Sequence, residues 1–186
     1  MYYNPNFTSE IWIFFPINAT VQNEIVMKKI TVNTTFLVFE NQNDLPEEVQ
    51  SLMTDAIEIR KNAYAPYSKF RVGCAILLDN GKVVLGSNQE NAAYPSGLCA
   101  ERVAIFQAGS IYPDAKILKM AISATGDEKP VLEPIPPCGS CRQSIAEYEI
   151  RQESPIEIFF MGESGPVYQS DSLRNLLPFM FDKKFL

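Results

Sequence analysis

The sequence holds four cysteines and no histidine, and three of the thiols fall in two short stretches, GLCAERVAIF at 97–106 and PPCGSCRQ at 136–143. Each stretch reads as the start of a helix. There, unpaired backbone N–H groups and the positive end of the helix dipole favour thiolate over thiol. Cys138 and Cys141, at i and i+3, share one helical face and can reach a common ion. With Cys99 they make three sulfur ligands, the number a catalytic zinc takes while leaving a fourth position for water. Glu101, two residues beyond Cys99, is then placed to take a proton from that water and hand it to a substrate. A glutamate in a first helical turn is also ordinary dipole chemistry; the three cysteines turn the balance toward catalysis.

Three thiolates around a divalent cation leave one net negative charge, which weakens the activation of water. Arg102 and Arg142 each follow a cysteine group and are expected to offset that charge by donating hydrogen bonds to the sulfurs. The plainer alternative makes both arginines solvated surface groups. Two other readings compete for the cysteines. CGSC alone suits a thiol–disulfide redox pair, but EPIPP leads into it where a strand would be expected, and Cys99 is left unexplained. A closed structural zinc site would need Cys74 as fourth ligand, yet that residue sits inside the strand-like FRVGCAILL, where a small buried thiol is the common reading.

These groups need elements to hold them. From Asp44 onward the pattern is orderly. Asp44 and Glu47 suggest a capping box with Pro46 in the first turn, leading into a helix whose apolar residues are Val49, Leu52, Met53, Ala56 and Ile57. FRVGCAILL and KVVLGS read as strands joined by a DNG hairpin turn. The first cysteine helix is expected to end at Gly109 as its C-cap. ILKMAISA and IEIFFM read as buried strands on either side of the second cysteine helix. VYQS offers a further strand and SDSLRNLL a short final helix. The expected class is α/β, a mixed sheet of about five strands flanked by helices in three layers.

At 186 residues and 46% hydrophobic content the chain suits a single core. No apolar run approaches the length of a membrane-spanning helix. A formal charge of -6 and a pI near 4.8 argue against polyanionic partners. The adjacent basic pairs, Lys28-Lys29, Arg60-Lys61 and Lys183-Lys184, are isolated and form no stripe for a nucleic-acid backbone. The opening MYYNPNFTSE has no basic residue to begin a secretory signal, so the expected location is cytoplasmic, where thiols stay reduced. Residues 1–43 show no chemistry and, with a possible strand in TTFLVFE, read as an N-terminal extension, with Met27 a candidate second start; 44–186 form the catalytic domain.

With these residues assembled, AYAPYSKFRVGCAIL, GSNQENAAYPSGLCAER, PPCGSCRQ and LLPFMF together resemble the small three-cysteine cytidine deaminases over about residues 45–186. The resemblance implies a three-layer cytidine deaminase-like fold and one Zn2+ per subunit, held by Cys99, Cys138 and Cys141, with Glu101 as proton shuttle. It implies hydrolytic deamination of cytidine and deoxycytidine to uridine and deoxyuridine, with release of ammonia, in pyrimidine salvage. Asn88 and Glu90 match residues that hydrogen-bond the sugar. At i and i+2 of an extended segment their side chains point the same way. Phe70 matches an aromatic flanking the pyrimidine, Tyr94 lies near a subunit boundary, and Phe181 matches an aromatic reaching into a neighbouring pocket. The family implies a homotetramer with shared active sites and a nucleoside substrate. The rival within the class is a deaminase of another aminopyrimidine nucleoside, of the blasticidin-S kind.

Overall fold

The computed structural model describes residues 28–186; the stretch 1–26 and the candidate start at Met27 lie outside them. Six strands form one sheet. In chain order these are β1 (Leu37–Phe39), β2 (Phe70–Leu78), β3 (Val83–Ser87), β4 (Ile117–Gly126), β5 (Glu157–Met161) and β6 (Val167–Ser170), arranged β1-β6-β5-β4-β2-β3. Three helices accompany them: α1 (Glu47–Arg60), α2 (Ala100–Ile111) and α3 (Gly139–Gln152). Among the described residues, only the β4–β5 strand pair is parallel. A parallel pair needs a crossover from one end of the sheet to the other, and α3 supplies it.

The period-2 alternation of the strands divides the core. Ala75, Ala121, Phe159 and Met161 face one side, where α1 covers them with Val49, Leu52, Met53 and Ala56. Cys74, Ile76, Met120, Ile122 and Ile158 face the other side, under Ala104 and Ile105 of α2 and Ile145 of α3. Helix, sheet and helix therefore form the three expected layers, with both cysteine helices in the same one.

Four local expectations change. The capping box joins Asn41 to Asp44 around a short 3-10 turn, because Pro46 is extended (φ -55, ψ 145) and α1 begins only after it. Gly109 lies inside α2, which runs to Ile111. Its lack of a side chain admits Tyr148 of α3, whose hydroxyl would stand 2.4 Å from an added Cβ. SDSLRNLL yields a 3-10 turn, Leu173–Asn175, since the residue before Pro178 resists the α conformation. The sheet has six strands, because β1, inside the stretch read as an extension, pairs with β6 and lays Phe36 edge-on against Phe160 at 6.4 Å.

Candidate functional site

Cys99 and Cys138 occupy the N-cap positions of α2 and α3, and neither side chain caps its helix. Serine, asparagine or aspartate there would stabilise each helix by about 1 kcal/mol, so these positions favour something other than helix stability. What they favour is sulfur convergence. The Sγ atoms of Cys99 and Cys138 lie 3.8 Å apart, those of Cys138 and Cys141 3.5 Å, and all three fall within 4.8 Å of one another. Sulfurs bound at ~2.3 Å with tetrahedral angles would sit ~3.8 Å apart. The donor set therefore fits zinc without rearrangement. A redox pair would use two of these sulfurs and leave the third equally close and idle. Cys74 stands apart from the triad, fully buried in β2, with its thiol pushed well up by that burial.

The charge state of the triad follows from its crowding. The Cys99 thiol is held down to about 5, first by the hydrogen bond from Cys141, against its own desolvation. Cys141 is pushed up by the same bond and by burial. Crowding thus makes Cys99 a readier thiolate than Cys141, and a divalent cation favours the ionised form of each sulfur it binds. Glu101, only 5% exposed in the first turn of α2, is pushed up to about 7, chiefly by desolvation and further by the Cys99 thiolate. A carboxyl that gains and loses a proton near neutrality is suited to proton transfer.

The two arginines part company. Arg102 loses basicity to desolvation, but Cys99 and the other sulfurs outweigh this and hold it above its ordinary value. Its Nη2 donates to the Gly97 carbonyl at 3.3 Å, and its buried Nε has no protein partner. Such an orphaned donor beside three sulfurs suits a site that carries excess negative charge. Arg142 donates to carbonyls, from Nε to Pro137 at 2.8 Å and from Nη1 to Leu176 at 3.0 Å. Sulfur and carbonyl are both acceptors, and the sequence contains nothing to distinguish them.

Beside Cys99 opens a cavity of about 490 Å3, lined among others by Tyr67, Asn88, Glu90, Tyr94 and Arg102. Asn88 is buried and its amide is clamped, accepting from Val72 N at 2.8 Å and donating to the Phe70 carbonyl at 2.9 Å. Glu90 is held by one oxygen, Oε2, which accepts from the backbone amides of Tyr67 at 2.9 Å and Ser68 at 3.3 Å. Those contacts, with the Ser68 side chain foremost, hold its carboxyl below the usual range, and the residue lines the cavity. The sequence assigned no role to Tyr67 and Ser68 within AYAPYSKFRVGCAIL, because no residue type announces a backbone amide donor. Tyr94 is 76% exposed and packs edge-on to Tyr67 at 6.2 Å. Phe70 opens β2, half-buried, and does not line this cavity. Phe181, 57% exposed, stacks on Phe185 beside a separate cavity.

A family model described as the cytidine and deoxycytidylate deaminase zinc-binding region matches residues 46–154. A cytidine deaminase of Halalkalibacterium halodurans is 46% identical over 98 residues, covering 53% of this chain and 70% of the relative. One from Sporosarcina psychrophila is 35% identical over 139 residues, covering 75% of this chain and 95% of the relative. The crystal structure of a cytidine deaminase from Burkholderia pseudomallei aligns with a TM-score of 0.62 at 34% identity, over 74% of this chain and 100% of its own.

Proposed function

The chain belongs to the cytidine deaminase family and is a zinc-dependent enzyme that hydrolyses cytidine to uridine and ammonia; from that premise we propose how its own residues divide the work. Cys99, Cys138 and Cys141 hold the zinc, and the observation that carries this assignment is the convergence of their sulfurs within 4.8 Å. When bound, the metal supplies Lewis-acid activation of a water molecule. Glu101 takes a proton from that water as the water's oxygen bonds to the amine-bearing carbon, delivers it to the adjacent ring nitrogen, and then moves the oxygen's remaining proton to the amine, which leaves as ammonia when the C–N bond breaks. Its burial supports the role, because a dry carboxyl changes protonation near neutral pH. Arg102 offsets the excess charge of three thiolates, and its unpartnered Nε is the donor for it.

Glu90 offers its carboxylate to the sugar, and Asn88, clamped by Val72 and Phe70 in the wall of the same cavity, offers its amide to a sugar hydroxyl. Phe70, outside the cavity lining in the single chain, is proposed to come against the base once a nucleoside is bound. Tyr94, in the lining of this chain's own cavity, is proposed to lie near a subunit boundary, and the exposed Phe181 to reach into a neighbouring subunit's pocket in a homotetramer. Deoxycytidine is accepted with cytidine. The protein works in the cytoplasm, a compartment that keeps metal-binding thiols reduced, and serves pyrimidine salvage. Residues 44–186 are proposed as the catalytic domain, with 1–43 an extension to it.

Glu101→Gln tests the division of labour. The variant should keep one zinc per chain and its affinity for nucleoside while turnover, followed by loss of cytidine's ultraviolet absorbance, falls by about 10²–10⁴-fold. A near-normal rate would remove Glu101 from the mechanism.

A further inference from the structure

Three polar side chains of α3 take no part in the chemistry above, and all three grip the C-terminal segment. Glu149, buried, accepts through Oε1 from the Ser172 hydroxyl at 2.7 Å and through Oε2 from the amides of Leu173 and Ile156, each at 2.9 Å. Gln143 Nε2 donates to the Phe181 carbonyl at 2.9 Å. Arg142 does something the other two do not. One edge of its guanidinium donates to Leu176, in the C-terminal segment, and another to Pro137, the residue before Cys138. Both carbonyls need an outside donor. Pro137 precedes the N-cap of α3, and Leu176 is the C-cap of the 3-10 turn, so neither has a helical partner.

We propose that Arg142 is a positioning residue that joins the Pro137–Cys138 turn to the C-terminal segment, so that metal retention and the order of residues 172–181 are linked. The inference rests on the zinc assignment made above. A planar fork with separate donors spans two carbonyls from distant parts of the chain; a lysine ammonium on a flexible stem does not hold them at fixed spacing. Loss of the fork frees Cys138 to swing at its N-cap. Because binding linkage is reciprocal, removal of the metal should in turn loosen the segment that Arg142 holds.

Two measurements on the full chain decide it. The first is the rate of zinc transfer to a chromogenic chelator, compared among the parent protein, Arg142→Gln and Arg142→Lys. Partners one step removed from a metal ligand typically alter affinity by about 10–100-fold, so Arg142→Gln should release zinc faster by about that factor, with only partial recovery in Arg142→Lys. The second needs no variant. Amide hydrogen exchange at Leu173, Leu176 and Leu177 should quicken at least several-fold when the parent protein is stripped of zinc. Parent-like zinc release by Arg142→Gln, or unchanged exchange on stripping, overturns the proposal while leaving the zinc assignment intact. If Arg142→Gln does not fold, the exchange experiment alone settles the matter. A parent protein that retains no zinc overturns the assignment itself, and the proposal with it.

Discussion

Burial pushes the Glu101 carboxyl up to about 7 from an ordinary value of 4.5, and in metal-stripped protein that shift has a sign. Below about 4.5 the group is protonated in folded and unfolded chains alike, and its burial costs little. As pH rises through about 7 the folded state must hold a buried anion, and the stability that the neutral form allowed is lost. At ~1.36 kcal/mol per unit the loss is roughly 3 kcal/mol. In chelator, Glu101→Gln should therefore match the parent in urea at pH 4.5 and exceed it by up to that amount at pH 8; an equal difference at both values would show that burial is not the cause. The triad and Glu101 were legible in the sequence because metal ligation constrains residue type and spacing at once. The target of Arg142 was not, and neither was the grip of Tyr67 and Ser68 on Glu90, because both involve backbone atoms that every residue carries.

The site depends on where α2 begins, and β3 sets that position. A Cβ on Gly86 would lie 2.5 Å from the Ala100 carbonyl oxygen and 2.6 Å from Ala104 N. Ala100 stands between Cys99 and Glu101, so Gly86→Ala should lift the start of α2 and carry both functional groups with it. Overpacking of this kind costs about 1–3 kcal/mol, which denaturation would register, and chelator competition should show weaker zinc retention in the same variant. A parent-like zinc affinity would mean that α2 yields elsewhere. Elements with strong periodicity or a strong turn were readable: α1, the β2–β3 hairpin, and both cysteine helices. Their ends were less so. Gly109 suits a C-cap by type, but the packing of Tyr148 decides its role, and the capping box pairs Asn41 with Asp44, three residues upstream of the Asp44–Glu47 box expected.

At the scale of the molecule, several large apolar side chains remain uncovered on a single chain, among them Tyr94, Phe106, Ile111, Phe179 and Phe181. Contiguous exposed apolar surface marks association. Sedimentation should give a mass four times the 20.9 kDa chain, and a monomer active at full rate would contradict the proposal that pockets are completed by neighbours. Overall class and layering followed from the alternation of helix and strand. The strand in TTFLVFE could be read locally, but its place in the sheet could not, since its pairing with β6 is set by contacts across more than a hundred residues. That strand bears on practical handling. With β1 in place, one side of Val167–Gln169 is covered by a paired strand; a shortened protein cut at Asp44 would bare it as a template on which other molecules could stack. Trimming for crystallisation or storage should therefore spare residues 36–39, or the concentrated sample will cloud by strand-to-strand accretion.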